Sequence, residues 1–106
     1  MSYDFGRIND LAYKCNQYSI QKGFWENQNS FDITVRLAKL ALITEEVGEA
    51  VSAVRIADIN NLGEELADII IRVFDFSSML NINIEQEIVN KMEKNEARAY
   101  MHNKLA

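Results

Sequence analysis

Proline is absent from the 106 residues, and glycine occurs only four times. Proline breaks helix interiors and glycine weakens them, so nothing obliges this chain to interrupt long helices. The first expectation is an all-α fold. Cys15 is the sole cysteine, which excludes an intramolecular disulfide and a cysteine-rich structural zinc site. No apolar run approaches the length of a membrane span, and the first ten residues lack the apolar core of a signal peptide. The expectation is a cytoplasmic protein that does not enter a membrane. Basic residues are also in deficit, with 11 Lys and Arg against 16 Asp and Glu and a net charge of -5. Duplex nucleic acid and anionic membranes call for a basic surface, so neither is an expected partner. An acidic protein can still hold free phosphates when divalent cations sit between its carboxylates and the ligand.

What is present is an ordinary globular mixture, 48% hydrophobic and 25% charged. The length suits a single domain over 1–106 with one core. Helical periodicity marks four stretches. The first runs from about Asp4 to Lys22, with Ile8, Leu11, Ala12, Cys15 and Tyr18 at helical spacing and Gly23 at its end. Ser30 is the expected N-cap of the second, which reaches from Phe31 to about Ile56. Asn61 with Glu64 resembles a capping box opening the third, which ends near Leu80. Asn83 with Gln86 repeats that device for the fourth, to about Tyr100. Short connections favour antiparallel neighbours.

The second stretch carries Leu37, Leu40, Thr44, Val47, Val51 and Val54 along one side, and Leu42 and Ala53 on another. A helix that is apolar nearly all round is buried on more than one face. Glu46 and Glu49 share the sector of Leu42 and Ala53, so a packed interface with carboxylates pointing into it is expected.

Two acidic motifs follow: Glu45-Glu46-Val47-Gly48-Glu49, and Glu65-Leu66-Ala67-Asp68. Residues three apart on a helix project about 60° from one another, so Glu46/Glu49 and Glu65/Asp68 are same-face pairs. If the two helices pack antiparallel, four carboxylates converge on one cleft. Their mutual repulsion then calls for cations. Oxygen-only ligands suit Mg²⁺, with Mn²⁺ as a substitute, and no histidine lies near the motifs to favour zinc. The competing reading is a pair of solvated acidic faces. Gly48 argues against it: a glycine there costs a helix about 1 kcal/mol relative to alanine, and such a residue often admits a close neighbour.

These residues resemble the MazG-like all-α nucleoside triphosphate pyrophosphohydrolase superfamily, whose pattern is EExxE, a spacer, then ExxD. Here Glu45, Glu46 and Glu49 are followed by fifteen residues and then by Glu65 and Asp68. The stretch from Asp68 to Asp75, with Arg72 within it, resembles the segment after ExxD in small members. Lys91, Asn95, Arg98, His102 and Lys104 match the family's K-x3-N-x2-R…H-x-K tail, although Ala99 and Asn103 stand where relatives usually have Pro and Gly. Arg55 also has a counterpart. The resemblance spans about Phe24 to Lys104.

The resemblance implies metal ligation by Glu46, Glu49, Glu65 and Asp68, with Glu45 a weaker candidate. It also implies a nucleoside triphosphate substrate cleaved between the α and β phosphates, and assembly as a homodimer or homotetramer through a helical interface. Glu46 or Glu49 is the candidate catalytic base. Lys91, Asn95 and Arg98 are the candidate phosphate contacts that the resemblance implies; on spacing alone, ion pairs of Lys91 and Arg98 with Glu87 or Glu93 on a solvated face are the favoured reading. Trp25 is a candidate for stacking on the base, against the commoner use of a buried aromatic as a loop anchor. Arg72 and Asp75 suit a supporting ion pair. Cys15, Met79, Met92 and Met101 read as packing residues. A non-catalytic helical interaction module is the alternative. A di-iron bundle fits less well, because neither acidic pair supplies a histidine.

Overall fold

A computed structural model describes residues 5–98. It contains four helices: α1 (Arg7–Gln21), α2 (Ile33–Arg55), α3 (Ile59–Met79) and α4 (Ile84–Glu96). Among the described residues there is no strand, so the all-α expectation holds. No helix of these residues is long and apolar enough to cross a membrane.

Helix ends follow side-chain chemistry, and two starts differ from expectation. The α2 N-cap is Asp32, whose carboxylate accepts from the Thr34 amide at 2.7 Å, rather than Ser30. The α3 N-cap is Asp58, which accepts from the Asn61 amide at 3.1 Å. Asn61 therefore sits inside the first turn instead of before it. Asn83 does cap α4, accepting from the Gln86 amide at 3.0 Å, but the Gln86 side chain reaches forward to Asn90 instead of closing a capping box.

Three helices end the same way. After α1, the Phe24 amide bonds the Ser19 carbonyl and the Gly23 amide bonds that of Ile20. Asp58 and Ala57 repeat the pattern on Ala53 and Val54, and Ile82 and Asn81 repeat it on Ser77 and Ser78. This is the Schellman arrangement, which needs a left-handed residue just past the C-cap. Gly23, Ala57 and Asn81 fill that place with φ of 86°, 56° and 57°. Glycine suits the role and asparagine tolerates it, whereas alanine does so under strain.

α3 is the centre of the fold, packing against α2 on one side and α1 on another. α4 rests mainly on α1 and more lightly on α3. The α2–α3 pair is an antiparallel hairpin turning at 56–58, with Ala50 and Ala53 buried in its seam. Small residues there let the backbones approach.

The α1–α4 junction holds a buried polar device. Glu85 has 0% exposure, and its carboxylate accepts from the amides of Gly6 and Asn9 at 2.9–3.0 Å. It thereby satisfies N–H groups that the start of α1 leaves without intrahelical partners. Asn9 returns the contact, accepting from the Glu85 amide and donating to Asn83.

α2 makes no close backbone approach to α1 or α4. Its apolar stripe stays open in the single chain, with Leu37 at 60% and Val54 at 62% exposure. The radius of gyration is 15.9 Å, against about 13 Å for a compact chain of about 100 residues. Gly48, beside that stripe, has nothing within 4 Å of where a Cβ would stand. The close neighbour expected there is not supplied by the described residues.

Candidate functional site

The α2–α3 hairpin brings the two acidic motifs together. Glu46, Glu65 and Asp68 each offer a carboxylate oxygen, and these three oxygens lie within 4.8 Å of one another. Antiparallel packing accounts for this, since Glu46 on the incoming helix stands opposite Asp68 on the outgoing one. Glu49 lies outside that set of three, but its charge acts on Glu65. Loss of solvent, and then repulsion from Glu49, Asp68, Glu46 and Glu64, raise the Glu65 pKa above its ordinary value. Glu45 is exposed and does not join the cluster.

The donor set fits a hard divalent cation: oxygen ligands, excess negative charge and open access from solvent.

Arg72 provides the one ion pair of this cluster among the described residues. Its Nε lies 2.9 Å from Glu46 Oε1, with the two side chains 36% and 15% exposed. The pair runs between helices and not along α3 to Asp75, as spacing suggested. Asp75 instead accepts from Asn16 Nδ2 at 2.9 Å, Ser19 Oγ at 2.7 Å and Trp25 Nε1 at 2.9 and 3.1 Å. One carboxylate thus fastens α1 and the α1–α2 loop to α3.

Trp25 is only 6% exposed, and Lys39 Nζ lies 4.3 Å above its ring. The stacking role suggested for Trp25 does not suit this burial; the ring is the anchor of its loop. Lys39 also donates to the Phe24 carbonyl at 2.6 Å, and desolvation lowers its pKa, with Asp75 opposing and Arg72 reinforcing that shift.

A cavity of about 380 Å³ opens beside the cluster, with Glu46, Asp68 and Arg72 on one wall and Cys15, Tyr18 and Phe24 on another. A second, of about 320 Å³, continues past Arg72 to Lys39, Leu42 and Phe76. Phe24 and Tyr18 are therefore the aromatic rings beside the acids, and Phe76 lies deeper, by Lys39. The Cys15 thiol is pushed up by burial and by the Asp75 charge, in keeping with an inert packing residue.

The tail residues sit apart. Lys91 lines a surface depression with Glu87, Asn90, Glu93, Lys94 and Ala97, which shares no residue with the cavities beside the acids. Asn95 holds its side-chain oxygen buried with no hydrogen-bond partner among the described residues, and Arg98 follows the last turn of α4. No ion pair among the described residues joins Lys91 or Arg98 to Glu87 or Glu93. His102, Lys104 and Met101 lie outside the described residues.

Sequence reasoning missed Lys39, Phe24, Tyr18 and the bonding of Asp75. Lys39 had a signal: it stands seven residues, about two turns, before Glu46 on the same face of α2.

The family model for the MazG nucleotide pyrophosphohydrolase domain matches residues 36–101, a span containing all four candidate ligands and the tail through Arg98. No curated protein and no solved structure matches the chain.

Proposed function

The chain belongs to the MazG nucleotide pyrophosphohydrolase family, and from that premise we propose that it hydrolyses nucleoside triphosphates to the monophosphate and pyrophosphate with Mg²⁺. The observation that carries this reading is the convergence of Glu46, Glu65 and Asp68 within 4.8 Å, beside a cavity of nucleoside size.

Glu46, Glu65 and Asp68 would hold the ion, with Glu49 completing the set from the same face. When bound, Mg²⁺ offsets triphosphate charge and lowers the pKa of a coordinated water. Arg72 holds Glu46 in place through its Nε, fixing one ligand before substrate arrives. Glu46 is engaged by that pair, whereas Glu49 is exposed and has no hydrogen bond among the described residues. Of the two candidate bases, Glu49 is thus the freer to accept a proton from the attacking water. The nucleoside enters the cavity beside Phe24 and Tyr18.

The open stripe of α2 and the extended shape support assembly with a second copy, as a dimer or tetramer. That assembly also offers the tail cations Lys91 and Arg98 a route to a neighbouring site. We place the protein in the cytoplasm, where a lone unpaired cysteine is ordinary.

The test is pyrophosphate release from a panel of ordinary and modified nucleoside triphosphates, with Mg²⁺ and with EDTA. The reading expects turnover that EDTA abolishes and Mg²⁺ or Mn²⁺ restores. A folded protein that turns over no nucleotide supports the interaction module instead.

A further inference from the structure

The two cavities share Phe24, Arg72 and Asp75 as walls, so they form one recess leading away from the carboxylates. Its polar lining is one-sided at the end away from the carboxylates, where Lys39, Arg72 and Asp75 are the polar residues. Asp75 accepts from three donors, and the single Trp25 N–H is shared between its two oxygens, so one oxygen faces Asn16 and Trp25 and the other faces Ser19 and Trp25. Both of its oxygens are thus already engaged by protein donors. Arg72 commits only Nε to Glu46, leaving four N–H groups on its terminal nitrogens. Lys39 commits one N–H to the Phe24 carbonyl, leaving two. At its Lys39 end the recess offers surplus donors, its only side-chain acceptor there being the engaged Asp75 carboxylate, with Phe24 and Phe76 supplying ring faces; the Tyr18 and Ser19 hydroxyls stand at the end nearer the acids.

A planar heterocycle entering this recess meets donors at its edge. Uracil, thymine, guanine and hypoxanthine present a carbonyl oxygen where cytosine and adenine present an amino group. The amino group would set N–H against N–H and leave the wall's donors unpaired, which a binding site penalises heavily.

We propose that this recess selects nucleotides whose base carries a carbonyl in place of the amino group of cytosine or adenine, and that Lys39 and Arg72 read that carbonyl. The inference rests on the pyrophosphohydrolase reading for the position of the triphosphate. The donor bias of the wall stands on the hydrogen bonds alone.

The experiment measures binding of the α,β-imido analogues of dUTP and dCTP, in which the scissile bridge is blocked, to the full chain with Mg²⁺. The inosine and adenosine analogues form a second pair. The carbonyl member of each pair is expected to bind at least tenfold tighter, and Lys39→Met to narrow the dUTP-to-dCTP ratio below threefold while its helical signal is retained. Affinities within twofold in both wild-type pairs, or a preference for the amino members, overturn the proposal without recourse to the variant. Turnover of dUTP and dCTP is followed alongside. Equal binding with Mg²⁺-dependent hydrolysis of both overturns base selection and leaves the hydrolase reading standing. Selective binding without hydrolysis does the reverse, and no binding of any analogue overturns both.

Discussion

Asp75 is the place where a small change should have a large and chemically graded effect. Its carboxylate accepts from three donors, and Asn16, Ser19 and Trp25 are each about 95% buried. In Asp75→Asn, one carboxamide oxygen can keep Asn16 and Trp25, and the Ser19 hydroxyl can rotate to accept from the new amide. What is lost is the charge assistance, at a cost of about 2 kcal/mol. Asp75→Leu removes every acceptor and strands three buried donors at about 1–3 kcal/mol each, or about 3–9 kcal/mol in all. That approaches the whole stability of a small domain, and corresponds to a fall in Tm of about 15 °C or more. Urea titration followed by circular dichroism and by the fluorescence of Trp25, the only tryptophan, measures both. The asparagine variant should unfold cooperatively at a lower midpoint. The leucine variant should show red-shifted emission before denaturant is added. If both variants lie within about 0.5 kcal/mol of wild type, the network does not fasten the loop and the reasoning fails.

Three other perturbations follow from the structure. Ala57 occupies a left-handed position with φ 56°, so Ala57→Gly should raise stability by about 0.5–1 kcal/mol in thermal melts, strain relief exceeding the added freedom of the unfolded chain. Glu65 has a raised folded pKa, so its contribution to metal-free stability is fully present below the ordinary 4.5 and is lost as pH rises through the higher folded value. Melting wild type and Glu65→Gln across that window should show a decline in wild type that the variant lacks; parallel curves would refute it. Val51→Lys places a charge in the open stripe of α2 and should shift light-scattering mass to that of one chain with helicity retained. An unchanged mass would remove the stripe from the assembly.

The fold was legible where chemistry is local. Absent proline, four periodic stretches and the Asn83 cap all reappear in the structure. The two misplaced starts have one cause: a carboxylate closer to the turn, Asp32 or Asp58, competed successfully with the residue that spacing favoured. Ala57 gave no sign of its left-handed role, because only the register of α3 on α2 demands it. The acidic motifs were readable because each pair sits within one helical turn, and a short hairpin was enough to bring them together. Arg72 was read as a partner for Asp75 along α3 and pairs instead with Glu46 across the hairpin. Glu85 was invisible for the same reason, since its partners Gly6 and Asn9 are 79 and 76 positions away. For Trp25 the sequence left base stacking open beside the commoner role of loop anchor, and its bond to Asp75 and its burial favour the anchor.

The central claim is that the carboxylates between α2 and α3 serve hydrolysis of the α–β phosphate bond. Its most direct test is ³¹P NMR of a nucleoside triphosphate incubated with Mg²⁺ and either wild type or Asp68→Asn. Asp68 is exposed and has no hydrogen bond among the described residues, so the variant should fold as wild type does. The account predicts monophosphate and pyrophosphate from wild type and at least a hundredfold slower turnover from the variant. Equal rates from both proteins, or release of diphosphate and orthophosphate, would contradict it.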